Sequence, residues 1–297
     1  MAKQADSLMR MEGPDRVHYE TGVLLNAEDF IAEQNYHRGR LARALNYVNG
    51  SGTLAGLKVR YEAKVEAGPS TTAREEKILI DAGVAIDRIG RLIEVPSSLC
   101  LRIDHWYHQQ KALDLRQSWN AADALWTGSV AGVVIDIFIR FISCERGKTP
   151  TFAQGPFDSI DAVTAARVRD SYQTELVLRK EANPAEPVNP WPDLSAATDA
   201  ERPALMREAI FDAWEPTTLS LGGADMLDPL PEHAAGQDTT SLLLARLIIP
   251  ADEAVGDSAP QRRDGEDIQI RNDIRPFVMT SNALARMMGV DINLMTS

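Results

Sequence analysis

Acids, bases, thiols and imidazoles do chemistry where their spacing lets them meet. The five histidines are His18, His37, His105, His108 and His233. His105 and His108 stand at i, i+3, which on a helix turns two imidazoles to one face, as a metal site would need. No carboxylate or cysteine joins them at ligand spacing, and Trp106-Tyr107 between them points to aromatic packing. Glu33 and His37 stand at i, i+4, the geometry of an intrahelical pair, which more often serves structure than acid–base catalysis. Cys100 and Cys144 form no CxxC and are too few for a disulfide framework, so they read as two reduced, half-buried thiols. Asp136 and Glu145 are the residue type that glycosidases pair, but their sequence positions alone give them no such role.

Recognisable catalytic loops are missing as well. The chain contains no GxSxG elbow, no phosphate-binding loop and no HExxH, and no GxGxxG follows a strand. Gly50-Ser51-Gly52 follows a helix and precedes a strand, the reverse of a phosphate cradle, where the anion meets a helix N-terminus. The residues therefore predict no catalytic, cofactor or metal site, and a protein that is not an enzyme.

The elements must then be read for what they position. The helix with the clearest boundaries begins after Asn26, an N-cap, with Asp29 at N3 completing a capping-box-like pair. Leu25 and Phe30 occupy the two positions of a hydrophobic staple, and Glu28 and Asp29 place negative charge in the first turn. The helix runs to about Val48 and stops at Asn49-Gly50-Ser51-Gly52. One face reads Phe30, Gln34, His37, Leu41, Leu45 and Val48, apolar except for two positions. Upstream, Val17 to Leu25 reads as a short strand with a turn at Gly22.

Beyond the glycines the period becomes two. Leu57, Val59 and Tyr61 share one face of a strand, and Lys58, Arg60 and Glu62 the other. Lys64–Lys77 reads as an exposed hairpin loop. Short strands follow at Ile78–Ile86, Arg91–Val95 and Leu99–Ile103, with a turn at Asp87-Arg88-Ile89-Gly90. Asp104–Trp126 is helix-prone or irregular and holds Trp106, Trp119 and Trp126. Val130–Ile142 is β-branched and fits a strand buried on both faces. Residues 144–165 read as loop, and Val168–Lys180 as a strand with Leu176 and Leu178 on one side. Asn183–Pro192 reads as an extended proline-rich linker. Pro203–Trp214 reads as a short helix, Ser241–Ile249 as a strand ended by Pro250, and 251–267 as a charged loop. Ile268–Met288 reads as a strand and a helix capped at Ser281/Asn282.

These elements predict a β-rich α+β fold. An N-terminal capped helix packs on an antiparallel sheet, and a β-sandwich-like second half with short helices follows. Residues 1–16 form a flexible arm, 17–126 a helix-plus-sheet domain, and 127–297 a β-rich domain carrying the loops 183–192 and 251–267.

Composition bounds the function. The chain has 297 residues and a net charge of −12. Sequence-blind nucleic-acid binding depends on Lys and Arg displacing counterions, and no run of basic residues here exceeds two. The most apolar run, Val130–Ile142, is interrupted by Asp136 and Arg140 and is too short to cross a bilayer as a helix. The N-terminus lacks the apolar stretch of a signal peptide. A cytoplasmic product without nucleic-acid or membrane-inserted partners is expected.

Two patches carry a resemblance. The first contains Tyr19, Gly22, Leu24-Leu25, Ala27-Glu28-Asp29-Phe30, Glu33-Gln34, Tyr36-His37 and Arg40. It continues through Asn46, Gly50, Gly52, Gly56-Leu57, Val59, Gly83, Ala85-Ile86-Asp87, Gly90-Arg91 and Ile93. The second is Arg167-Val168-Arg169-Asp170-Ser171-Tyr172, Leu244-Ala245 and Arg275-Pro276-Phe277-Val278. Together they resemble a family of proteins encoded beside extracellular contractile injection systems, the phage-tail-like particles of bacteria. The match is good over residues 17–103 and fragmentary beyond. The opening also resembles the type VI secretion baseplate protein TssK, although Ala27-Glu28-Asp29 stands where that pattern has Pro-Gln-His.

The resemblance implies a structural subunit at the baseplate, or in an attached cage or collar. Its partners would be baseplate, sheath or fibre proteins and copies of itself in three-fold or six-fold symmetry, in a particle that can leave the cell. In that setting Gly22 permits the sharp entry to the helix, and Gly50, Gly52 and Gly56 let a backbone pass close to it. Gln34, Tyr36 and His37 hydrogen-bond a neighbouring strand. The alternative reading is a carbohydrate-binding module in which Trp106, Trp119 and Trp126 form a stacking platform.

Overall fold

A computed structural model describes residues 16–68, 72–150, 163–213 and 227–289. Nearly all of the expected arm 1–16, and the end of the helix expected at Pro203–Trp214, lie outside them. The fold is α+β, with an N-terminal helix, several antiparallel sheets and short helices.

Helix α1 spans Ala27–Asn49 and starts as its sequence dictates. Asn26 Oδ1 accepts from the Asp29 amide at 3.0 Å, and Asp29 Oδ2 accepts from the Asn26 amide at 2.8 Å. This reciprocal pair satisfies two amides that helix geometry leaves open. Gly50, with φ +74°, caps the other end, its amide donating to Asn46. Val17–Leu25 forms no strand; the chain turns at Thr21-Gly22 and the Val23 amide donates to Glu20.

Three sheets follow. β1 (Gly52–Gly56), β4 (Gly83–Ile86) and β5 (Leu92–Val95) form one, in the order β1-β4-β5. β2 (Val59–Glu62), β3 (Lys77–Ile80) and β6 (Leu99–Leu101) form the second, in the order β2-β3-β6. The expected strand through Leu57 breaks there because Leu57 adopts φ +55°, yet it and Val59 are both buried. Helices α2 (Ile103–His108) and α3 (Ala112–Gln117) lead into β7 (Trp119–Asn120).

The largest sheet is built on β8 (Gly132–Pro150), β9 (Val163–Leu178) and β10 (Leu242–Asp252). β7 flanks β8, while β11 (Gln261–Arg262) and β12 (Gln269–Arg271) flank β10. Helix α4 (Arg202–Asp212) has proline in its first turn, and α5 (Ser281–Met287) is capped by Thr280 rather than by Ser281/Asn282. β10 does not stop at Pro250, which sits opposite Gly132 at the end of the ladder; its pairing with β8 shifts register between Leu243 and Ala245.

β8 is buried on both faces over its β-branched part, Gly132–Ile139, and is exposed from Glu145 to Pro150. Val133, Ile135, Ile137, Ile139 and Phe141 face one cluster with Val59, Ile78, Ile80, Ile93, Leu244, Leu247 and Ile249. That cluster draws on residues either side of position 126. On the other face Phe138 packs with Leu243 and Ile274.

One close approach holds α1. Gly90 has φ +86°, and a Cβ there would overlap the carbonyl oxygen of Ala42 in the middle of the helix. Gly265 has φ +79° with open space around it. We therefore expect Gly265→Ala to cost about 1–2 kcal/mol, the left-handed penalty alone, and Gly90→Ala to cost more because the helix must move. Urea melts of the two variants check this, and equal losses would show that the approach at Ala42 is not tight.

Candidate functional site

The residues that carry the resemblance divide into two groups. Those in and after the glycine segment build the fold. Gly52, with φ +144°, would place a Cβ 2.7 Å from the Pro276 carbonyl oxygen, where the Thr53 amide donates at 2.9 Å. Gly56, at φ +66°, abuts Ala82 and Gly83. Asp87 is fully buried: Oδ1 accepts from the amides of Ile89 (3.1 Å) and Arg91 (2.8 Å), and Oδ2 from Arg91 Nε (2.6 Å). Arg91 also donates to Thr240 and lies 4.7 Å from the centre of the Phe141 ring. Asp87-x-x-Gly90-Arg91 is thus a turn closed by its own ion pair. Burial pushes the Asp87 carboxyl up, and the Arg91 charge and the two amides oppose that.

The helix residues behave differently. The inward side of α1 is Gly39 and Ala42. At 100° per residue, the stripe expected to be apolar lies on almost the opposite side. Phe30 is 53% exposed, Leu41 62% and Val48 79%, with Gln34, His37 and Ala44 exposed between them. This corrects the expectation that the stripe packs inward. Small residues fit the tight approach of the Gly90 turn, and large ones do not. Leu24, Val23 and Tyr19 continue the exposed apolar surface upstream, and Leu25 is only partly covered.

The polar motif residues interact within the helix. His37 Nε2 and Glu33 Oε1 are 2.8 Å apart, Tyr36 meets the His37 ring edge-on at 5.4 Å, and the Arg40 guanidinium lies 5.4 Å from the Tyr36 ring. Among the described residues no hydrogen bond joins Gln34, Tyr36 or His37 to a strand, so that expectation is also corrected. Gly22 sits in its turn with φ +96° and open space around it.

The remaining chemical candidates are dispersed. His105 contacts Gln109, and His108 lies 3.4 Å from Asp104. Among the described residues no three of His, Cys, Asp and Glu gather as a metal site would require. Cys144 is half-buried, whereas Cys100 is exposed, contrary to the paired expectation. Trp106, Trp119 and Trp126 are half-buried: Trp119 donates its indole N–H to the Ala251 carbonyl at 2.9 Å, and Arg271 lies over Trp126 at 5.1 Å. They do not form an exposed platform. No helix among the described residues is long and apolar enough to cross a membrane.

Sequence reading missed three features. First, residues 144–150 and 163–165 are not loop: β8 and β9 continue there as a two-stranded ribbon. Arg146 stands opposite Arg167 and Cys144 opposite Arg169, so pleating puts Arg146, Lys148, Arg167 and Arg169 on one face. Second, Asp136 is fully buried between two arginines. It accepts from Arg246 Nε at 2.8 Å and Nη2 at 2.9 Å, and from Arg179 Nη1 at 3.0 Å. Arg179 also reaches the Glu232 carbonyl at 2.5 Å, and Arg246 reaches those of Pro184 and Ala185 at 2.7 and 2.9 Å. The expected linker 183–192 is therefore anchored at its start. Third, Arg275 is buried with carbonyl and amide oxygens of Leu57 and Asn272 as partners, and burial lowers its guanidinium to about 10.

Two tyrosines have a measurable consequence. Tyr61 donates to Glu76 at 3.0 Å and Tyr107 to the Pro260 carbonyl at 2.8 Å, and burial first, with Glu76 adding for Tyr61, pushes both phenols up to about 12. Their folded values exceed the unfolded value of about 10, so the stability they contribute is complete below pH 10 and lost as pH rises towards 12. An alkaline absorbance titration should show a late phase near pH 12 that Tyr61→Phe and Tyr107→Phe each reduce. A late phase unchanged in both variants would refute the assignment.

No protein-family model matches this sequence, and no curated protein matches it.

Proposed function

We propose that this chain is a structural subunit of a bacterial contractile injection particle, at the baseplate or in an attached cage or collar, acting through protein–protein contacts. The finer architecture belongs to this reading: an N-terminal capped helix packed on an antiparallel sheet, followed by a β-sandwich-like second half with short helices. One observation carries most weight. Motif residues Phe30, Gln34, His37 and Arg40 lie on the outer part of α1, although Gly52, Gly56, Gly90 and Asp87 of the same motif are committed to the fold. An exposed stripe of large apolar groups on a chain of net charge −12 suits a subunit soluble by charge and joined through apolar contact.

Tail-like particles are built on three-fold and six-fold axes, and closed rings use head-to-tail interfaces. Copies of the chain and baseplate, sheath or fibre proteins are the proposed partners. Synthesis in the cytoplasm and later incorporation into a particle follow from the same reading. Deleting the gene and imaging purified particles by electron microscopy tests it. We expect particles altered in composition or shape; indistinguishable particles would sink the proposal.

A further inference from the structure

We propose that copies of this chain join head to tail, the basic β8–β9 ribbon of one seating against the acidic segment 251–267 of the next. This deepens the assembly reading and rests on it only for the expectation that copies meet. β10 accompanies β8 no further than Ile139, so from Cys144 to Pro150 the ribbon stands on β9 alone. Arg146, Lys148, Arg167 and Arg169 share one face of it, all exposed, and none has an ion pair or hydrogen bond among the described residues. They occupy successive rows of that face, about 7 Å apart. The nearest carboxylates in the ribbon, Glu145 and Asp170, stand opposite Val168 and Ser143 in register and so fall on the other face.

The far end of the same sheet carries the opposite charge. Pro250 stands opposite Gly132, and Ala251 and Asp252 pair with Arg262 and Gln261, so the segment 251–267 folds back beside the start of β8. It holds Asp252, Glu253, Asp257, Asp264, Glu266 and Asp267, all exposed, against Arg262 and Arg263. Both arginines are committed, Arg262 to Glu76 and Asp104, and Arg263 to Asp252 and Glu266. Glu253, Asp264 and Asp267 have no ion pair or hydrogen bond among the described residues. From Gly132 to Arg146 the strand rises roughly 45 Å. Charges are screened within about 8 Å at physiological salt, so the two ends do not neutralise each other within one copy. Ribbon against ribbon would set arginine against arginine, and segment against segment carboxylate against carboxylate. Only ribbon against segment is complementary, and that contact is head-to-tail, the kind that closes into rings.

The test uses the purified full chain. Light scattering behind size exclusion should give a multiple of the monomer mass at about 0.1 M salt and the monomer at about 1 M, as the screening length falls from about 10 Å to about 3 Å. The ribbon variant Arg146→Glu, Arg167→Glu, Arg169→Glu should be monomeric at the lower salt, and so should the segment variant Glu253→Lys, Asp264→Lys, Asp267→Lys. Circular dichroism and melting should be unchanged in both, because all six side chains are exposed. Mixed in equal amounts, the two variants should associate again, since an acidic ribbon then meets a basic segment. A monomeric wild-type chain, an oligomer undiminished at the higher salt, either variant associating alone, or a mixture that stays monomeric would each overturn the proposal. Retention of a monomeric wild-type chain on immobilised nucleic acid would assign the ribbon to that polyanion and overturn it equally. The two readings also fail separately. A chain that is monomeric but present in particles overturns the head-to-tail contact alone, and a head-to-tail oligomer never found in particles overturns the assembly role alone.

Discussion

Asp136→Asn should destabilise the protein by about 3–5 kcal/mol, as expected when one partner of a buried ion cluster is removed. The carboxylate faces two guanidiniums, from Arg179 and Arg246, and all three side chains are buried. Burial pushes its carboxyl up, opposed first by hydrogen bonds and charge from Arg246 and then by the charge of Arg179. The asparagine removes the charge while leaving both cations out of water. Replacing all three groups by apolar ones, Asp136→Leu with Arg179→Met and Arg246→Met, should recover only part of the loss. The arginines also donate to the carbonyls of Glu232, Pro184 and Ala185, which would lose their partners. Urea denaturation gives both numbers. A loss below about 1 kcal/mol for Asp136→Asn would mean the cluster behaves as an exposed pair does.

Asp87→Ala should cost a similar amount, about 3–5 kcal/mol, for a different mixture of reasons. It leaves the Arg91 guanidinium without its carboxylate and the amides of Ile89 and Arg91 without their acceptor, all in a buried turn. Asp87→Asn separates the two contributions, because its amide oxygen still accepts from the backbone while the charge is gone. We expect it to lie between wild type and Asp87→Ala. The turn also presents Gly90 to α1, so Asp87→Ala should loosen the helix, seen as faster amide exchange around Ala42. Exchange unchanged there, despite a lower global stability, would show that the turn does not hold the helix.

How far the sequence could be read depended on whether a feature is local. The α1 cap was legible because Asn26 and Asp29 are three residues apart and bond each other. The buried strand at 132–142 was legible because burial on both faces demands an unbroken apolar run. The direction in which α1 faces was not legible. Hydrophobic periodicity marks an apolar stripe but not what covers it, and here the inward contact was decided by the small residues Gly39 and Ala42. The basic ribbon was invisible for a related reason. Its four cations are 23 residues apart along the chain, from Arg146 to Arg169, and converge only through strand register. A search for consecutive basic residues could not find them. Asp136 and Arg246 are likewise cross-strand neighbours that no spacing rule connects.

The central claim, that the chain is a particle subunit, is tested most directly by quantitative mass spectrometry of contractile particles purified from cells expressing a tagged copy. The account predicts the chain in fixed proportion to the baseplate proteins, in multiples of three copies per particle. Particles of normal composition from which the chain is missing would contradict it.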